Sequence, residues 1–324
     1  MKNYIVKRYQ KEHYSIWNDF ISRAKNATFL FHRDFMDYHN DRFEDYSLMV
    51  FEEKKLVAVL PANRVGKVIY SHQGLSYGSI VIKKNIKIKE YLILVATLMR
   101  FLNSNEIESI YLKQLPKIYN KAFSEEFDYV TYLMKGEIYR SDLHMVIDNE
   151  QGYKPNRNRL RALKVANEKG IEVRLENDYE DFWNQILIPN LKARYNVAPV
   201  HTLTEISLLA ALFPNQIKLY NAYLSGIIKA GVVVFVMENV VHFQYSSGDE
   251  DRNDTASLDA LFDFIIQKYS DKKYISFGNC SEENGCFLNT GLAYWKESFG
   301  AKSMIQNFIK ISTKNYSKIE SAIK

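Results

Sequence analysis

Ile217–Ser246 reads IKLYNAYLSGIIKAGVVVFVMENVVHFQYS. β-Branched and aromatic residues dominate it, and two tight-turn pairs interrupt it, Ser225-Gly226 and Glu238-Asn239. That spacing predicts three consecutive strands, Ile217–Leu224, Ile227–Met237 and Val240–Ser246, joined as a meander. An apolar helix over Ser257–Tyr269 and a strand over Tyr274–Gly278 follow. Upstream, Ile171–Leu175 is a strand and Asp178–Arg194 is helical, with Pro189 marking a kink or break. Thr204–Leu212 is a helix capped by Thr202 or Thr204 and stopped by Pro214.

The first half has the same order. Tyr4–Arg8 is a strand, Ser15–Ala24 has apolar residues at helical spacing, and Phe35–Tyr38 lies in a short helix. Tyr46–Phe51, Leu56–Val65 and Val68–Tyr70 form a second meander, and a helix over Lys89–Leu102 leads to a strand over Ile107–Leu112. A whole pattern repeated at about half the chain's length points to duplication. The seam falls near Asn149–Asn158, where Gly152 and Pro155 interrupt the pattern. The expectation is an α/β fold of two tandem domains, residues 1–150 and 151–324, each a mixed twisted sheet flanked by helices.

Bulk properties agree. The chain has 324 residues, 47% hydrophobic and 25% charged, which is ordinary globular composition. The longest apolar stretch, Tyr91–Met99, falls far short of the ~20 residues that cross a bilayer. The start has no apolar signal core, and Cys280 and Cys286 have no neighbouring ligands at metal spacing. A reducing, cytoplasmic location with no metal site is expected. Net charge is +5, from 43 basic and 38 acidic residues. Gln151–Gly170 carries Lys154, Arg157, Arg159, Arg161, Lys164 and Lys169 against Glu168 alone, so the whole excess sits in one segment. On a helix, Arg157, Arg161 and Lys164 share one face, which suits the phosphates of a nucleotide, a coenzyme or a tRNA end, or is simply a solvated face. Overall basicity is too low, and base-reading motifs too absent, for a nucleic-acid-binding protein as such.

Three further stretches carry a resemblance: Ser71-His72-Gln73-Gly74-Leu75-Ser76-Tyr77-Gly78; Arg157–Gly170 running into Ile171-Glu172-Val173; and Phe277-Gly278-Asn279-Cys280-Ser281 followed by Gly285 and Tyr294-Trp295-Lys296-Glu297-Ser298-Phe299-Gly300. With the repeated element order, they resemble the tandem GNAT acyltransferases, the group of the Fem-type aminoacyl transferases and CelD-like acetyltransferases. Ser276 stands where that group has Asp, and Ser79 where a second Gly is common. The glycine-rich coenzyme A loop of single-domain GNATs is missing. Its place is taken by Ser246-Ser247-Gly248-Asp249-Glu250-Asp251-Arg252-Asn253, whose three acids make a poor anion cradle.

The resemblance implies acyl transfer to an amine, with the donor between two splayed parallel strands, here Val240–Ser246 and Tyr274–Gly278. It implies Lys296 near the reacting carbonyl and Tyr294 or Trp295 as a cleft wall. At period two, His242, Gln244 and Ser246 share one strand face. An imidazole there titrates near neutrality and suits a general base, or is a satisfied structural histidine. His201 and Arg194 flank the loop before Thr204 and suit substrate contacts, as does Glu282 for an acceptor amine. Tyr77 and His72 occupy the counterpart place in the first domain, which is expected to bind acceptor or serve structure while the second domain carries the chemistry. The expected donor is an acyl thioester such as acetyl-coenzyme A, and the acceptor a small molecule, amino sugar or cell-envelope precursor. The alternatives are aminoacyl transfer from tRNA to a cell-wall precursor, and a non-catalytic binding module.

Overall fold

The computed structural model describes residues 3–323, with the backbone alone at Tyr195. The chain divides into two compact units: Met1–Asp142 with Ile305–Lys324, and Leu143–Met304. Two long strands, Glu137–Asp148 and Lys302–Ser312, each begin in one unit and end in the other.

In the second unit the sheet runs in the order Glu172–Glu176, Ile217–Leu224, Ile227–Val236, Val240–Gly248, Tyr274–Asn279 and then the end of Glu137–Asp148. Every neighbour pair is antiparallel except Val240–Gly248 with Tyr274–Asn279. The meander forms as its turns dictate, with Ser225 and Gly226 both at positive φ. Helix Ser257–Lys268 covers one face and buries Leu261, Phe262, Ile265 and Ile266 against Tyr220, Val232, Val234 and Val241. Each such side chain contributes about 2 kcal/mol by leaving water. The Pro189 break is absorbed by a π-helical turn over Phe182–Leu187, after which Ile188–Tyr195 resumes as α-helix with the proline in its first turn. Thr202 caps helix Leu203–Leu212 in a reciprocal capping box with Glu205.

The first unit has one sheet of Tyr4–Arg8, Leu48–Glu52, Lys55–Leu60 and Val81–Ile82, and strands Ser109–Lys113, Val68–Ser71, Asn63–Val65 and Glu44–Asp45 in a second. The single strand expected over Leu56–Val65 is broken at Pro61, which has no N–H to give a ladder. Helix Ile88–Ser104 buries Leu94, Val95, Leu98, Met99 and Leu102 in the core. Among the described residues no helix is long and apolar enough to cross a membrane.

Candidate active site

Val240–Gly248 and Tyr274–Asn279 pair over three residues only, Val240 with Tyr274, Val241 with Ile275 and His242 with Ser276. Beyond His242 the two strands share no further pairs. Two local features drive them apart. On Val240–Gly248, Gln244 is an extra residue between the pairs Phe243–Val234 and Tyr245–Val233, a bulge that bends the strand. On Tyr274–Asn279, Gly278 sits at φ +71, and the register against His144–Asp148 shifts between Ser276 and Gly278. A side chain at Gly278 would meet the His242 ring, with a Cβ 3.2 Å from Cε1.

Lys296 fixes this bend. It is 5% exposed, and its ammonium donates to the carbonyls of Gly278 at 3.2 Å and Asn279 at 2.7 Å. Burial lowers its pKa, with the buried Cys280 thiol opposing. His242 Nδ1 lies 3.1 Å from Ser276 Oγ. Burial, with His144 and Lys296 close by, pushes the imidazole down to about 3. The near-neutral titration expected for His242 is therefore corrected: the ring is neutral at physiological pH and a weak proton acceptor. Ser276, which replaces the acid of the resembling group, is fully buried beneath it. On the helix side of the divergence, Phe243, Phe262, Phe277, Trp295 and Phe299 form one ring cluster, with Phe243 stacked on Phe262 at 4.1 Å.

Along the diverging end of Val240–Gly248 lies a cleft of about 480 Å³. Ser246, Ser247 and Gly248 form its strand wall, and Asn190, Leu191 and Arg194 come from helix Ile188–Tyr195. Leu258 and Asp259 come from the first turn of Ser257–Lys268, and Leu292 and Trp295 from helix Thr290–Glu297. Asn190 Nδ2 pins its helix to the strand end through Ser247 Oγ at 2.8 Å and the Gly248 carbonyl at 2.5 Å. Arg159, Arg194 and Arg252 line the cleft against one carboxylate, Asp259. Arg159 is buried, ion-paired to Asp259, bonded to Ser298 Oγ and laid over the Phe299 ring at 4.4 Å. Arg252 is held by the Asp249 carbonyl at 2.9 Å. Lys229 takes Asp249 and Asp251 at 2.9 and 3.3 Å, and their loop presents Gly248, Arg252 and Asn253 to the cleft.

Of the residues singled out in the sequence, Arg194 and Trp295 line this cleft. Trp295 Nε1 also donates to Asp259 at 3.1 Å. His242, Gln244 and Lys296 lie at the vertex of the divergence and not among the cleft's lining side chains. His201 is buried, with Nδ1 2.6 Å from Tyr245 Oη, and belongs to an aromatic cluster with Trp183. Tyr294 is exposed and accepts from Asn158 at 3.1 Å. Glu282 is exposed and accepts from Asn289 at 2.7 Å. Arg157 and Arg161 are exposed on helix Arg157–Lys169, whose buried arginine is Arg159. Tyr77, in the first unit, is buried and donates to Thr28 Oγ1 at 2.9 Å. It is packed as a core residue, and burial raises its hydroxyl well above its usual range. The sequence reading missed Asn190, and it named Arg159, Ser247 and Arg252 only as members of the basic segment and of the loop in the coenzyme's place. Among the described residues no group of three or more His, Cys, Asp or Glu could hold a metal ion.

This architecture, two units each with a meander, a helix and a parallel strand pair, is the tandem GNAT fold of the Fem type. No protein-family profile matches the sequence, and no curated protein does. Solved structures do match. FemX superposes with a TM-score of 0.67 at 9% identity, covering 96% of this chain and 98% of that one. L-PGS from Bacillus licheniformis superposes at 0.60 with 10% identity, covering 98% of each chain. A tandem GNAT protein from the clavulanic acid biosynthesis pathway superposes at 0.50 with 8% identity, covering 97% and 99%. At such identities the likeness is one of fold.

Proposed function

We propose that this chain is a cytoplasmic acyltransferase whose second unit moves an acyl group from an acyl-coenzyme A thioester to the amine of a small molecule, amino sugar or cell-envelope precursor. One observation carries the reading: a parallel strand pair that parts after three residues and opens beside a cleft with three guanidinium groups and one carboxylate. Guanidinium grips phosphate with paired donors, so Arg194 and Arg252 would hold the anionic part of the donor. The strand edge beyond His242 offers main-chain N–H groups to the oxyanion, where one such donor is worth roughly 3 kcal/mol. The amine nitrogen bonds to the acyl carbon, the tetrahedral intermediate expels the thiolate, and the amine's proton ends on that leaving sulfur. We assign Lys296 and His242 to positioning. Lys296 holds the Gly278–Asn279 bend by its carbonyls, and the His242 ring fills the space against Gly278. A ring of such low basicity leaves deprotonation to the amine's own equilibrium.

A second reading has its own support. Arg157, Arg161 and Lys164 are exposed on one face of the helix that also sends Arg159 into the cleft. This favours an aminoacyl-tRNA donor, and FemX and L-PGS share the fold.

The test is turnover with a panel of acyl-coenzyme A thioesters and aminoacyl-tRNAs against simple amines. Arg194→Ala and Arg252→Ala are expected to raise KM for the donor about 10-fold each with kcat little changed. Steep loss of activity with added salt selects the tRNA reading. Absence of turnover with every donor would sink both and leave a binding module.

A further inference from the structure

Among the described residues, Asp259 is the one carboxylate that lines the cleft, from the first turn of helix Ser257–Lys268. Its side chain is 17% exposed. Two neighbours hold it, and both hold the same oxygen. Trp295 Nε1 donates to Oδ1 at 3.1 Å, and Arg159 Nη1 ion-pairs with Oδ1. Oδ2 accepts no hydrogen bond from a described residue, and it is not sealed from solvent.

Neutralising Arg159 does not explain this arrangement. An arginine that serves a carboxylate alone commonly meets it with two parallel N–H bonds, one to each oxygen. Arg159 instead gives Nε and Nη2 to Ser298 Oγ, at 3.1 and 2.9 Å, and turns only Nη1 to Asp259. The helix dipole favours an acid in this turn but asks for no particular orientation of it. Guanidinium and indole together fix the carboxylate and leave its second oxygen open on the cleft side. Leu258 and Leu292 line the cleft with it, so that oxygen is partly desolvated as well as fixed. Such an acceptor takes an N–H donor, and takes a charged one best. It repels the anions that Arg194 and Arg252 would hold, so the cleft has two kinds of polar subsite.

We propose that Asp259 Oδ2 is the ammonium subsite of the cleft, where the acceptor docks as a protonated primary amine. Calling that amine the acceptor rests on the acyl-transfer reading; the subsite itself does not. Asp259 selects the amine, and Arg159 and Trp295 position Asp259. The docked nitrogen becomes a nucleophile once its extra proton has left to solvent, by the amine's own equilibrium.

The experiment measures binding by the full chain without donor or turnover. Ligand-observed NMR titrations compare matched pairs near neutral pH: glucosamine with glucose, glycine amide with glycolamide, and ethanolamine with ethylene glycol. At least one amine binds about 10-fold more tightly than its hydroxyl partner. Asp259→Asn keeps an oxygen for Trp295 and Arg159 but puts a donor at the free position, and the preference disappears. Leu292→Lys tests the subsite with the Asp259–Arg159 pair intact. Residue 292 is 36% exposed and lies one turn from Trp295 on the same helix face. Its ammonium fills the subsite and weakens the same amine about 10-fold, while the melting temperature stays native. Pyrophosphate, the probe for Arg194 and Arg252, is weakened in neither variant. No preference for any amine in the native chain, a preference that survives either substitution, or equal weakening of pyrophosphate overturns the subsite. Amine preference without turnover by any donor keeps the subsite and removes the acyl-transfer reading.

Discussion

Each unit contains a parallel strand pair that ends early, and the two ends are treated differently. In the first unit Val68–Ser71 runs beside Ser109–Leu112 for four residues. Residues 72–77 then fold over, and parallel pairing resumes at Gly78 with Gln114. The inserted turn is clamped: Lys113 Nζ donates to the carbonyls of Gln73 and Leu75 at 3.1 and 2.9 Å, and Gln306 donates to that of Ser76 at 3.3 Å. In the second unit the pair parts at His242 and Ser276 and does not re-form, and a cleft opens alongside. The same topology yields a plugged end or an open one, according to whether the chain itself supplies the filling. A lysine serves both: Lys113 holds the plug, and Lys296 holds the bend that keeps the other end open. One unit thus has a cleft beside its strand end and the other a filled one.

The plug is where the contrast breaks most easily. A Cβ at Gly78 would fall 1.6 Å from the Ser71 carbonyl oxygen, a main-chain atom with nowhere to move. Gly78→Ala is expected to cost more than about 3 kcal/mol in urea unfolding, among the largest effects of a single methyl. Native stability would show that the resumed pairing does not form.

The two lysines sharpen the contrast. Lys296→Met strands the buried Gly278 and part-buried Asn279 carbonyls at a cost of about 2 kcal/mol, and Lys113→Met, whose Gln73 carbonyl is exposed, costs about 1 kcal/mol. Only Lys296→Met should lower kcat, because only that bend lies where the strand pair parts beside the cleft. Equal loss of turnover in the two variants would contradict the division of labour. Burial lowers both ammonium groups, Lys113 to about 8.

The smallest effect near neutrality is the pH dependence. His72 and His242 stand at the ends of the two pairs, and burial pushes each down to about 3. A histidine depressed in the folded state contributes stability above its unfolded value near 6.5 that is lost as pH falls toward 3. Urea midpoints should be flat above pH about 7 and fall steadily below about 6. His242→Gln should remove part of that slope. A midpoint unchanged down to pH about 4 would mean that neither ring is held neutral.

Much of this fold was legible because its signals are local. The hairpin turns at Ser225-Gly226 and Glu238-Asn239, the Thr202–Glu205 cap and the break at Pro189 are written within a few residues each. Strand Glu137–Asp148 was not legible: it buries Asp142, while Ile138 and Tyr139 are exposed, so period two does not separate polar from apolar. The site was legible as a place and not in its parts. The parting of Val240–Gly248 from Tyr274–Asn279 is what the family resemblance implies. Its geometry depends on long-range partners, such as Lys229 pairing with Asp249 and Asp251 beside Arg252, or Gly278 turning its carbonyl to Lys296. Periodicity put Gln244 on the His242 face, but the bulge at Gln244 breaks the period at that very residue.

The open strand end is the expected donor site. Ser246 is exposed on the cleft wall, so Ser246→Trp fills the cleft without touching the core. With a donor that the native protein turns over, this variant should lose roughly 100-fold or more in kcat/KM while its melting temperature stays native. Turnover at the native rate with the cleft so filled would show that the chemistry lies elsewhere.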